Sequence, residues 1–211
     1  MHWSDYTRFG IALFALLNPI TKIPYTLSAA AGGGTRAVMT MALSCTATMM
    51  AILLLMHLVG EGLLLTLGTS LASFQIGGGL VILLSGLSML SDEPPKAVPV
   101  DAGRRDSLHY VKLGVSPLGM PMLAGAGAIT KVIIETHPGF GIEAEIEVSL
   151  IILLVCGMSG ALIATSSVLV AILGAAFFSI LSRIAGLVIV AVAVEVMFKG
   201  VSTHVSALLG S

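Results

Sequence analysis

Asn18-Pro19-Ile20-Thr21-Lys22-Ile23-Pro24 lies inside an apolar N-terminal segment, where an ordinary membrane helix carries neither two prolines nor a lysine. A proline inside a helix removes one backbone hydrogen bond and clashes with the preceding turn. The segment is therefore expected to open near Asn18 and leave carbonyls and amides without helical partners. In lipid such groups are costly unless protein or ligand satisfies them.

Outward from this stretch, the composition is that of an integral membrane protein. Of 211 residues, 56% are hydrophobic and 10% charged, and the mean hydropathy is +1.05. Soluble domains carry roughly a quarter charged residues. Runs free of Asp, Glu, Lys and Arg extend from Ala37 to Gly60, Gly62 to Ser91, Leu113 to Thr130 and Val148 to Ser182. Each is near or above the ~18 residues that indicate a spanning helix. The net charge of -1 carries no basic stripe, which argues against a nucleic-acid partner and makes the lipid bilayer the obligate one. Cys45 and Cys156 each sit within an uncharged run and read as small buried residues. Ile11–Leu17 followed by Ser28-Ala29-Ala30 imitates a signal peptide, but Lys22 and the prolines interrupt that design, so the segment is read as retained.

Six spans are expected in an all-α fold: Phe9–Ala31, Ala37–Val59, Phe74–Leu90, Val115–Ile134, Val148–Leu173 and Ile184–Phe198. Residues 62–73 read as a re-entrant or interfacial piece, and Gly174–Arg183 as its counterpart. Ser44, Thr46 and Thr48 are expected as back-bonded or interhelical hydroxyls, and His57 as interfacial. Residues 92–112 form a polar cytoplasmic linker between a first unit, 1–91, and a second, 113–211. Glu135–Glu147 reads as an acidic loop.

The halves echo each other. Asn18-Pro19-Ile20 with Pro24 recurs as Ser116-Pro117-Leu118 with Pro121, at offsets of 98 and 97 residues. Leu67-Gly68 and Gly79-Leu80-Val81 recur as Leu173-Gly174 and Gly186-Leu187-Val188, at offsets of 106 and 107. Two repeats of three spans follow, and because three is odd the second is inverted. Interrupted helices at matching places are a signature of inverted-repeat transporters. Basic residues at span ends place Arg36, the linker and Arg183 in the cytoplasm, with both termini outside.

A helix broken in mid-membrane presents amides at one start and carbonyls at one end, a pairing suited to a zwitterion. Candidate substrate-binding residues are Asn18, Pro19, Thr21, Ser116, Pro117, Gly119, Gly125, Gly127 and Thr130. The glycines permit close backbone approach, or alternatively helix packing. Glu195 is the candidate ion-coupling residue, since an intramembrane acid usually faces a cavity or partner; with Lys199 at i+4 it could instead mark a helix end. Lys22 could line the cavity, whereas Lys131 is expected to snorkel. Gln75, Ser85 and Ser88 are secondary candidates. No cofactor, metal or catalytic residue is expected.

Gly157-Met158-Ser159-Gly160 matches the G-x-S-G of rhomboid-type intramembrane proteases, whose serine needs a buried histidine base. His204 is the only later histidine and lies in the tail. Ser159 therefore reads as packing.

Leu16-Leu17-Asn18-Pro19-Ile20 with Ile23-Pro24 and Leu27 is similar to the N-P-I-G-x-x-P-x-F-L motif of the MarC family of multi-pass membrane proteins. Ser116-Pro117-Leu118 through Pro121 and Leu123-Ala124-Gly125-Ala126-Gly127-Ala128-Ile129-Thr130 resembles its P-L-A-x-P-L-L-A-G-P-G-A-I-T. Ile76-Gly77-Gly78-Gly79, Gly86-Leu87-Ser88-Met89-Leu90 and Arg183-Ile184 with Gly186-Leu187 look like further family blocks. Thr21, Ala126 and Glu195 depart from the pattern, standing where glycine, proline and glutamine are expected. The resemblance implies a six-helix inner-membrane protein of inverted repeats that transports glycine, alanine or similar small neutral amino acids. A homo-oligomer is compatible with this reading; a channel or passive facilitator is the alternative class.

Overall fold

The computed structural model describes residues 3–66, 68–90, 106–135 and 141–209, and all regular structure among them is helical. Most of the linker and the centre of the acidic loop, at 92–105 and 136–140, lie outside the described residues. In order, the helices are α1 Trp3–Leu17, α2 Pro19–Ala29, α3 Gly34–Thr66, α4 Leu71–Leu90 and α5 Ser107–Leu113. An irregularly wound segment, Gly114–Leu123, leads to α6 Ala126–Glu135, α7 Ile142–Ala164 and α8 Ser166–Leu209.

Four stretches are long and apolar enough to cross a membrane: Gly34–Gly60, Leu71–Leu90, Ile142–Ala164 and Arg183–Ser206. The other two expected spans are split. The first divides into helices of 15 and 11 residues, and the fourth into the Gly114–Leu123 segment and a 10-residue helix. At about 1.5 Å per residue, neither half of either pair reaches the ~30 Å of a hydrocarbon core alone. Leu43, Leu58, Leu84, Ile172 and Leu187 stand exposed on the outside of the bundle. That apolar exterior is the surface a bilayer requires.

Glycines with positive φ set the turns. Gly32 and Gly34, at 87° and 61°, turn the chain from α2 into α3, a backbone region that other residues enter only at a steric cost. Gly68 and Gly174, the pair expected to correspond, adopt φ of 65° and 73°. The re-entrant reading of 62–73 is corrected: α3 runs on to Thr66 and the chain turns at Gly68. The sixth helix also begins earlier than Ile184, since helix resumes directly after Gly174, and it continues past Phe198 to Leu209. The continuation past Phe198 includes Gly200, Val201, Ser202 and Thr203, which are poor or middling helix formers, and it is held instead by packing on α4, where Gly200 lies against the Ala72 carbonyl. Likewise α7 starts at Ile142, so part of the acidic loop is its first turn; Glu143 and Glu145 there complement the positive end of the helix dipole.

Small residues let the helices approach. Ser44, Thr46 and Thr48 donate to the carbonyls of Thr40, Ala42 and Ser44 at 2.9, 2.7 and 2.8 Å. On α3 they face Gly114, Gly160 and Gly119, each a place where a Cβ would collide with the hydroxyl-bearing side chain. α4 and α8 pair antiparallel. A Cβ on Gly86 would meet Val190 and the Gly186 carbonyl, one on Gly79 the Ala193 carbonyl and Met197, and one on Gly200 the Ala72 carbonyl. Ile82, Ile189 and Ala193 form a small buried cluster of their own midway along this pair. The main core lies among α1, α3, α6 and α7, filled by Phe9, Leu13, Leu17, Met41, Met49, Leu53 and Ile152.

Candidate functional site

The first interruption is at Asn18, which takes φ 45° and ψ 60° and is 5% exposed. Asparagine is among the few residues that visit this left-handed region readily. Its N–H still closes α1 on the Phe14 carbonyl at 3.0 Å. Pro19 then opens α2 at the one position where a missing N–H costs nothing, with no side chain capping the new start. Thr21 Oγ1 donates to the Asn18 carbonyl at 3.1 Å. Asn18 Nδ2 donates to Met89 Sδ of α4 at 3.1 Å, while its buried Oδ1 has no hydrogen-bond partner.

The second interruption is built differently. Ser116 and Met120 are extended, at φ -140° and -135°, within a stretch otherwise loosely helical, and the Ser116–Pro117 peptide is cis. The Ala124 N–H reaches back to Gly119 at 2.8 Å, and a fresh helix begins at Ala126, with Gly125 accepting from Ile129 at 3.1 Å. Regular helix therefore begins at Ala126 and not directly after Pro117, since the chain between them is wound in irregular, wide turns.

The candidate residues fall into three places. Asn18, Pro19 and Thr21 lie at the first interruption, while Gly125, Gly127 and Thr130 belong to the start of α6. α4 joins these two groups: Met89 holds Asn18, Ile82 lies against Gly127, and Gly78 lies against Thr130. Leu16, at the end of α1, also lies within 3.5 Å of where a Gly127 Cβ would stand, so the two interruptions adjoin. Ser116 is exposed and Pro117 half-buried. Gly119 is packed on Thr48, where a Cβ would come within 2.8 Å, so its missing side chain accommodates α3. Glu195 stands apart.

Glu195 lines a cavity of about 650 Å³ walled by α1, α4, α6 and α8. Asp5, Arg8, Gln75, Lys131, Glu135 and Lys199 line it too. Lys131 does not snorkel away: it pairs with Glu135 at 2.6 Å, both 15% exposed, and sits 5.9 Å from the Phe9 ring centroid. Gln75 is 7% exposed and its Oε1 has no hydrogen-bond partner. Lys22 is half-buried beyond this cavity's lining. The cavity joins residues more than a hundred positions apart at the ends of separate helices. Only the isolated charges in apolar sequence could have signalled it.

Other readings resolve by geometry. His57 is buried and its Nε2 lies 3.2 Å from the Glu145 carbonyl, tying α3 to the start of α7 instead of facing the interface. Ser85 and Ser88 bond back to Val81 and Ser85. Ser159 is fully buried with an unpartnered hydroxyl, and His204 bonds Ser73 at 3.0 Å. The serine–histidine pairing of a protease is not formed by these two residues. At the N-terminal end of α1, the Tyr6 phenol is pushed up to about 12, chiefly by its hydrogen bond to Glu147, then by desolvation and by the negative charge of Glu147 and Asp5.

An apolar exterior, four uninterrupted spanning helices and two interrupted segments define a polytopic, all-helical integral membrane protein. The chain belongs to the MarC family of integral membrane proteins, whose pattern it matches over residues 3–205. It is 28% identical to the UPF0056 membrane protein YhcE of Escherichia coli over 93% of this chain and 91% of that one. A UPF0056 membrane protein of Aquifex aeolicus is 26% identical over 92% and 91%, and one of Buchnera aphidicola from Acyrthosiphon pisum is 28% identical over 98% and 96%. No solved structure matches it.

Proposed function

We propose that this protein is a secondary transporter of small neutral amino acids, of the glycine and alanine class, coupled to protons or another ion. The observation that carries the reading is the adjacency of two helix interruptions, at Asn18 and at Ser116–Gly125, joined through Leu16, Gly127 and α4. Free N–H groups at the starts of α2 and α6 would hold the substrate carboxylate. The ammonium would lie on carbonyls at the end of α1 and on Asn18 Oδ1, a buried acceptor without a partner. Glycine and alanine suit such a site because the backbone approaches closely and no side-chain charge is needed.

Alternating access would come from two inverted three-helix units, with six spans in all, in the inner membrane and with both termini outside the cytoplasm. Three features favour this arrangement. Gly68 and Gly174 share a positive φ. Gly79 and Gly186, expected as counterparts, both lie in the antiparallel α4–α8 contact, against Ala193 and Gly86 respectively. Ile82 and Ile189, separated by the same 107-residue offset, are both buried at its middle. Repeat-based transporters bind substrate at such a repeat interface.

Radiolabelled glycine or alanine counterflow in proteoliposomes, with and without a proton gradient, tests the reading. Saturable counterflow is expected. Unsaturable flux would make the protein a channel, and cleavage of a membrane peptide abolished by Ser159→Ala would make it a protease.

A further inference from the structure

The cavity between α1, α4, α6 and α8 holds three acids and three bases: Asp5, Glu135 and Glu195 with Arg8, Lys131 and Lys199. Its charge is balanced, and apart from Gln75 its remaining walls are apolar, including Phe9, Val188, Val192 and Val196. A net anion or cation gains little in a site of zero charge, whereas a dipolar ion can satisfy both signs at once. The volume of about 650 Å³ falls within the ~300–1,000 Å³ of small-molecule sites.

The pairing pattern shows which of the cavity's charged groups are joined to each other. Lys131 and Glu135 close on each other although Lys before Glu is the less favourable order at i,i+4. Glu195 and Lys199 have the better order, yet no ion pair joins them. Among the described residues, Arg8 likewise makes none. A second feature is independent of these charges: Gln75, more than nine-tenths buried, is part of the wall of the same cavity, and its acceptor oxygen, shielded from solvent, has no hydrogen-bond donor.

We infer that this cavity is a binding site for a small dipolar ion bearing an ammonium and an anionic group, separate from the helix interruptions. The ammonium pairs with Glu195 and Gln75 Oε1, and the anionic group with Lys199 and Arg8. Residues 195 and 199 share one helix face, so the ligand lies along α8 with its two ends on successive turns. The chemistry fits a free amino acid entering from the outside, or the ethanolamine headgroup of a phospholipid. Its role as an outer substrate site rests on the transport reading, but binding itself does not.

The test is calorimetric titration of the full chain in detergent with glycine and, separately, glycerophosphoethanolamine, using ethanolamine and acetate as singly charged controls. At least one dipolar ion is expected to bind saturably at millimolar concentration, and the controls are not. Glu195→Gln and Lys199→Gln, both at exposed positions, are each expected to weaken binding about tenfold or more, a loss of about 1.4 kcal/mol. Gly77→Ala, on the exposed face of α4 with nothing within 4 Å of the added Cβ, is expected to leave this binding in place. Preference for glycine identifies a free solute, and preference for glycerophosphoethanolamine a lipid headgroup. No saturable heat with either, controls that bind equally well, or unaltered affinity in both variants would overturn the inference. Counterflow measured on the same preparations keeps the two ideas apart. Binding without counterflow removes the transport reading alone, and counterflow with wild-type binding in both variants removes this site alone.

Discussion

Replacing Gly86 by alanine places one methyl group at the closest part of the α4–α8 contact. Its Cβ would lie 2.8 Å from Val190 Cγ2, 3.0 Å from the Val190 nitrogen and 3.1 Å from the Gly186 oxygen. Two of those three atoms are backbone, so rotation of a side chain cannot relieve the clash, and the helices must part by roughly half an ångström. Overpacking of this kind costs about 1–3 kcal/mol. Gly77→Ala on the same helix is the control, because nothing lies within 4 Å of its added Cβ. Alanine there gains helix propensity, stabilising by about 0.5–1 kcal/mol. The two substitutions, nine positions apart, are therefore expected to have opposite signs. Melting of the purified protein in a fixed detergent, followed by circular dichroism, should show Gly86→Ala lowered and Gly77→Ala unchanged or raised, at ~2–4 °C per kcal/mol for a chain of this size. Equal midpoints for the two would refute the close backbone packing on which the paired-helix argument depends.

Other perturbations probe the remaining sites. Pro19→Ala with Pro24→Ala should let α1 and α2 join into one helix and abolish counterflow; retained transport would count against the interrupted helix as part of the site. Ser159→Ala removes a buried hydroxyl with no partner, so stability in detergent melts should hold or rise by about 1 kcal/mol. His57→Leu loses the link to the Glu145 carbonyl and should cost about 0.5–1.5 kcal/mol in the same assay. For Tyr6, ultraviolet titration should give a midpoint near 12 that moves down toward 10 in Glu147→Gln. With the folded value raised, the Tyr6 contribution to stability is complete below pH 10 and fades between about 10 and 12.

The first interruption was readable because its causes are local. Proline removes a donor and asparagine tolerates the left-handed backbone, and both effects belong to residues 18 and 19 themselves. The second was readable only as a region. Pro117 announces disturbance, but the new helix starts at Ala126, where the family motif has proline and this chain does not. Nothing local distinguishes an alanine that opens a helix from one inside it. Helix ends were misjudged for a related reason: charges at Glu61, Glu143 and Lys199 looked like boundaries, yet charged residues are good helix formers and need only an aqueous or protein-lined face. The cavity was least legible, since Arg8, Gln75, Lys131 and Glu195 share no sequence pattern and meet only through packing of four helices.

The arrangement separates two tasks along α4. Near its C-terminal end Met89 holds Asn18 at the first interruption, and near its N-terminal end Gln75 opens into the charged cavity. Between them Gly78, Ile82 and Gly86 are packed against α6 and α8. A displacement of α4 along α8 would therefore act on both places together. Glycine contacts favour such sliding, since a smooth backbone surface offers no interlocking side chains to unseat, and the ligand needs differential affinity for the two positions to drive it. A bulky substitution at Gly78 or Gly79 should then impair transport more than it impairs binding in the charged cavity, because the cavity's charged groups lie on α1, α6 and α8 and remain in place when α4 is jammed. Loss of both in equal measure would show instead that α4 is merely a wall of the site.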